Sequence, residues 1–287
     1  MDMIDKELIN EMLIDKYYLI RMLVIKHFDK VSDRKSILTK LLTDTSHKVR
    51  QNAVNLIANN HPNSFETDLC ALIFDISAYI RFEARRLLNK MNHYDFVQIY
   101  RNNLFQQKNS IGSILGLSEV SDESEIPLIQ KYLGSERAKV KTAALIGIYN
   151  LDSNIGTELA YKVLENENPI STKRTAEKLL TKQSVDYDRL RVLYDATDSD
   201  GKKIILRLFN CFSGWSFAGD FLKALTDEDK KIQTMANVFL NSWLHYTVNL
   251  GISQNEEDRT YVLTWYKKAK EKEVKVPENI PFIFGEK

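Results

Sequence analysis

Two stretches decide the fold: DTSHKVRQNAVNLI (residues 44–57) and DISAYIRFEARRLL (residues 75–88). Each opens D-x-S and then sets a β-branched aliphatic, an arginine and an alanine at the same offsets. These are Val49, Arg50 and Ala53 in one, Ile80, Arg81 and Ala84 in the other. The apolar residues recur every three or four positions, which is the period of an amphipathic helix. A small residue in the middle of the buried stripe lets two helix axes approach where they cross.

The alanine slot recurs along the chain. It falls on Ala53, Ala84, Ala144, Ala176 and Ala236, with weaker copies at Met22, Gly112 and Ile205, at intervals of 28 to 32 residues. About 31 residues hold two helices of 10 to 14 residues and two short turns. Each unit is then a helical hairpin that cannot bury its apolar face alone and must stack on its neighbours. The low content of breakers, 10 Gly and 5 Pro, agrees with an all-α chain.

The flanking slots give the stack its polar chemistry. Nine residues before the anchor stand Asp44, Asp75, Glu167 and Asp227; three before it stand Arg50, Arg81, Lys141, Lys173 and Lys202. An acid in the inter-helix turn and a base one turn into the second helix can bond along the stack, within one unit or between neighbours. The expected ladder is Asp44, Arg50, Asp75, Arg81, Glu167, Lys173 and Asp227. Seven residues before the anchor, Ser46, Ser77, Asp198 and Asp229 are expected to cap the second helices. Asn168–Pro169 reads as a cap followed by proline at the first helical position.

This pattern resembles the HEAT-repeat family, whose consensus has an acid in the turn and V-R-x-x-A on the second helix. The resemblance is carried by DTSHKVRQNAV, DISAYIRFEARRLL, AKVKTAALIGI and NPISTKRTAEKLL and covers roughly residues 3 to 245. It implies an all-α, right-handed α-solenoid of about eight HEAT-like hairpins with a C-terminal capping helix. Residues 1–250 form the solenoid. Residues 251–287 supply the cap and an extended tail of the same domain. The unit at NSIGSILGLSEVSDESE (109–125) is irregular, since it lacks the arginine and carries glycines. SGWSFAGDFL (213–222) is an aromatic connector.

Composition excludes several classes. A chain of 287 residues that is 44% hydrophobic and 28% charged buries a sizeable core beneath a wetted surface. The sequence has no apolar run of about 18 residues, and MDMIDKELINEML lacks the basic front of a signal peptide. The expectation is a cytoplasmic protein without membrane contact of its own, with an anchor in a longer parent chain left open. Two isolated cysteines, Cys70 and Cys211, make neither a disulfide framework nor a zinc site. His27, His47, His61, His93 and His245 fall in different units, and none is followed directly by glutamate. No metal and no cofactor is expected.

Charge is distributed by position. Thirteen-residue windows centred on the eight slots together carry +18, whereas the whole chain carries +1. The second helices are therefore basic, and the first helices and turns are acidic. In HEAT-like stacks the second helices line the concave face, so the resemblance implies a positive groove. Bases that the ladder does not require are its candidate binding residues: Arg85, Arg86, Lys90, Lys178, Lys203 and Arg207. The expected partner is another protein, engaged through an acidic or extended segment.

Nucleic acid is the alternative partner, because phosphates bind such grooves by counterion release. Some HEAT-like proteins are alkylpurine DNA glycosylases with tryptophans and an aspartate near the lesion. Here Trp215, Trp243 and Trp265 fall in the last third, and no aspartate shares their helical face. No P-loop, GxGxxG or GxSxG occurs. The expectation is a scaffold or adaptor that is not an enzyme.

Overall fold

The computed structural model describes residues 5–59, 62–183, 185–211, 214–246 and 255–285, without the side chains of Asn59 and Tyr246. His61 and Ser213, and residues 251–254 of the expected cap, lie outside these. Among the described residues every regular element is helical. The chain divides into two compact units, residues 1–135 and 136–287.

In the first unit, α1 (Lys6–Ile14), α3 (Arg34–Leu42), α5 (Glu66–Leu72) and α7 (Phe96–Phe105) alternate with α2 (Tyr18–Lys26), α4 (His47–Asn59), α6 (Ala78–Met91) and α8 (Ser110–Val120), followed by the short α9 (Ile126–Gln130). Each helix packs on its hairpin partner, and α2, α4, α6 and α8 pack successively on one another. The second unit contains α10 (Ala138–Leu151), α11 (Ser153–Glu165), α12 (Ile170–Leu180), α13 (Tyr187–Ala196), α14 (Ser199–Asn210), α15 (Phe217–Leu225), α16 (Lys230–Tyr246), α17 (Glu256–Glu271) and α18 (Ile280–Ile283). There α10, α12, α14 and α16 pack in succession.

The small slot is the seam of these contacts. Ala53, Ala84, Ala144, Ala176 and Ala236 are fully buried, as is Ile205. In the first copy the slot moves by two residues, because Val24 is buried where Met22 is only half-buried. The irregular fourth copy has a steric reason for its glycines. A Cβ on Gly112 would lie 2.0 Å from the backbone oxygen of Phe74, and one on Gly116 would lie 2.3 Å from the Tyr100 ring. Both glycines let α8 lie flush against its neighbours.

Capping differs in detail from the expectation. Asp198 accepts the Gly201 N–H at 2.7 Å and Asp229 that of Lys231 at 2.7 Å. The Ser77 hydroxyl does not cap α6; the Ser77 N–H instead donates to Asp75. Pro169 itself holds the cap position of α12, and Asn168 donates to the Val163 carbonyl.

At the C-terminus α17 packs along α15, with the Tyr261 ring over Gly219. The tail then turns back, so that Phe284 meets Trp215 at 5.6 Å and stacks on Trp243 at 6.1 Å. Phe217 and Phe221 of the aromatic stretch are buried as well, as is Phe209 at the end of α14.

Candidate functional site

The ladder residues come first, because they determine which bases remain for binding. Arg50 donates from Nε to Asp75 Oδ2 at 2.6 Å and from Nη2 to Oδ1 at 2.9 Å. Its Nη1 donates at 2.6 Å to the carbonyl of Asp44, in its own turn. One guanidinium thus fixes two turns, using the fork geometry that a lysine lacks. Arg50 thus pairs with the acid of the following hairpin. Arg21 repeats the arrangement with Asp44, at 2.6 and 2.8 Å. Sequence reasoning missed Arg21, because the slot was centred on Met22 rather than Val24.

Further along, the register shifts. Arg81 reaches Glu119 on α8, since the turn before α8 offers no acid. Lys173, fully buried, donates to Asp198 at 2.6 Å, and Lys202 to Asp227 at 2.8 Å. Glu167 is exposed and makes no ion pair among the described residues, so it has no part in this set. Burial would raise the Asp198 carboxyl, but the Lys173 ammonium and the Gly201 N–H hold it below its ordinary range. Asp227 is lowered in the same way, with Lys202 overcoming burial.

The six candidate bases separate into two sets. Arg85 is 8% exposed; it donates to the Tyr100 hydroxyl and to Glu119, both at 2.9 Å, and faces inward. Arg86 is held by Glu83 three residues back, at 2.5 Å. Lys203 lies 3.5 Å from Asp200 and 3.6 Å from Asp229. Lys90 and Lys178 are exposed and without an ion pair among the described residues. Arg207 is bound by Glu177 at 2.7 and 2.8 Å, and that bond keeps its guanidinium more firmly protonated than usual.

Lys178 and Arg207 come together. With Arg174, Glu177 and Thr181 they line an open depression of about 400 Å³ between α12 and α14. Arg174 is a residue the sequence reasoning missed. It stands four before Lys178, a spacing that puts both on one helix face. Three cations thus surround one acid, and Arg174 is exposed and unpaired among the described residues. The thiol of Cys211 is pushed up by burial, and Glu177 adds to this.

The tryptophans have a structural task. Trp215 and Trp243 are buried, meet edge to face at 5.5 Å, and the Trp243 indole N–H donates to the Gly214 carbonyl at 2.9 Å. Trp265 lies beneath the ammonium of Lys268 at 4.4 Å. The buried rings of Trp215 and Trp243 are not presented to a nucleobase. The nearby Asp220 is buried against Arg191 at 3.0 Å and the Tyr261 hydroxyl at 2.7 Å. Burial pushes its carboxyl up, against the pull of Arg191. Among the described residues no three His, Cys, Asp or Glu side chains converge as a metal site, and no helix is long and apolar enough to cross a membrane.

No family model matches the chain, and no curated protein does either. Among solved structures it is similar to the complex of CpcE and CpcF of phycocyanin lyase from Nostoc sp. PCC7120. Identity is 17%, and the match covers 85% of this chain and 96% of the other, with a TM-score of 0.34. The neighbour is named for a lyase, and the expectation that the chain is not an enzyme is withdrawn. At this TM-score the likeness transfers no activity.

Proposed function

We propose that the chain is a protein-binding helical-repeat protein of HEAT-like build, and that the depression between α12 and α14 takes an acidic, extended segment of another protein. The reading extends the hairpins to a right-handed solenoid of about eight units over residues 1–250, capped by residues 251–287.

The observation that carries the proposal is the convergence of Arg174, Lys178 and Arg207 around a single acid, Glu177. The other arginines of the second helices, Arg21, Arg50, Arg81, Arg85 and Arg86, already have carboxylate partners. A guanidinium and an ammonium four residues apart match carboxylates on an extended chain. The patch is compact, lined by Arg174, Glu177, Lys178, Thr181 and Arg207.

The test is fluorescence anisotropy with a labelled twelve-residue peptide of alternating Glu and Gly, at low and moderate salt. Binding should weaken about tenfold or more in Arg174→Glu/Lys178→Glu. Equal binding by that variant would sink the proposal. Tighter binding of a mixed DNA oligonucleotide than of the peptide would favour nucleic acid instead.

A further inference from the structure

One acid in a ladder position has no basic partner for its carboxylate among the described residues. Asp44 and Asp75 share one conformation. Each accepts the N–H two residues on, from Ser46 at 2.7 Å and Ser77 at 2.8 Å. The carbonyl of each accepts from the arginine six residues on, at 2.6 Å from Arg50 and 2.5 Å from Arg81. The remaining capacity of each carboxylate is filled by the arginine of the preceding hairpin.

Asp15 repeats every feature except the last. It accepts the Tyr17 N–H at 2.7 Å, and its carbonyl accepts from Arg21 at 2.5 Å. No ion pair to its carboxylate exists among the described residues. The Lys16 ammonium lies 4.8 Å over the Tyr17 ring. A carboxylate held in this geometry is an acceptor set for a guanidinium fork.

The surface beside it is apolar where later hairpins make contact. Lys48 and Tyr79 stand five residues before their anchors, and both reach back to the preceding second helix. Lys48 donates to the Tyr18 hydroxyl at 3.3 Å and Tyr79 to Asn55 at 2.8 Å. Leu19 holds the same place on α2 and is 62% exposed. Leu23, one turn on, shares its face and is also exposed, and Tyr17 beside them is 61% exposed.

We propose that this end of the first unit docks a helical hairpin of another protein, one that presents an arginine to Asp15 and an apolar stripe to Leu19 and Leu23. Charge complementarity selects the occupant. A second copy of this chain continuing the stack would offer α16, whose base slot holds the uncharged Gln233; its amide donates to the Asp227 carbonyl at 2.6 Å. The surface differs in place and in sign from the basic depression, so the two proposals stand or fall separately.

The experiment uses the full chain with p-benzoylphenylalanine in place of Leu19, photolysed in the cells that make the protein. The expected result is one discrete adduct whose cross-linked peptide maps to a helical segment of another protein with an arginine within one turn. Asp15→Asn keeps the acceptor for the Tyr17 N–H and removes the charge. It should leave the melting temperature unchanged and lower the adduct yield at least ~10-fold. Arg174→Glu/Lys178→Glu should leave the yield unchanged. Absence of an adduct, an adduct with a second copy or with residues 1–4, a segment without arginine, or full yield in Asp15→Asn would each overturn the proposal.

Discussion

Arg50 and Asp75 belong to successive hairpins, yet the guanidinium of one closes on the carboxylate of the other through two parallel bonds of 2.6 and 2.9 Å. Both side chains are nearly covered, at 11% and 7% exposure, so the pair is shielded from solvent screening. Removing one partner leaves the other desolvated and alone. Arg50→Ala should therefore cost about 3 kcal/mol in urea unfolding. Arg50→Lys should recover only part of this, since an ammonium cannot hold the Asp44 carbonyl and both carboxylate oxygens together. A double-mutant cycle with Asp75→Asn measures the pair directly. A coupling near zero would show that the bonds contribute nothing.

The fourth hairpin gives a steric prediction. Gly112→Ala drives a methyl into the Phe74 carbonyl, which is backbone and cannot swing aside. Overpacking of this kind costs roughly 2 kcal/mol or more. Gly134→Ala meets nothing within 4 Å and should be neutral. Comparing the two variants by thermal melting separates crowding from any general effect of losing glycine.

Much of this frame was legible in the sequence, for a physical reason. Ala53 and Ala84 mark helix crossings, and Asp75 and Arg50 are forced on the chain by turns that must be tied together. The candidate site was less legible. Arg85, Arg86 and Arg207 all look surplus in a linear reading. Their acids are Glu119 on the next second helix, Glu83 three residues back, and Glu177 on the preceding second helix. Of these only Glu83 is visible without knowing how the helices stack. Arg174 was within reach, because its four-residue spacing from Lys178 already places the two on one face. Asp15 was hidden by the two-residue shift of the first slot from Met22 to Val24.

Acid should weaken the second unit through Asp198 and Asp227. Both carboxyls are lowered in the folded state, with their lysine partners outweighing burial. A lowered carboxyl binds protons more weakly when folded, so its stabilisation is complete above the unfolded value and is lost as pH falls through the folded one, below about pH 4. Asp198→Asn removes that titration and leaves Lys173 without its carboxylate. The variant should be less stable than the parent at pH 7, and the two curves should converge as pH falls below the ordinary carboxylate range. Curves that stay parallel across this range would show that the Lys173–Asp198 bond does not carry the acid sensitivity.

Phe284 tests whether the tail belongs to the folded core of the second unit. The ring is 1% exposed and touches both Trp215 and Trp243, while Phe282, two residues earlier, is 81% exposed. The tail therefore has one buried and one free aromatic ring, and the two substitutions should behave differently. Phe284→Ala opens a cavity beside two indoles and should cost about 3 kcal/mol. It should also move tryptophan emission to longer wavelength, as water reaches the rings. Phe282→Ala should change neither stability nor emission. If both variants leave emission unchanged, the tail does not seal the Trp215–Trp243 pair in solution, and the packing of α18 contributes little to holding the second unit together.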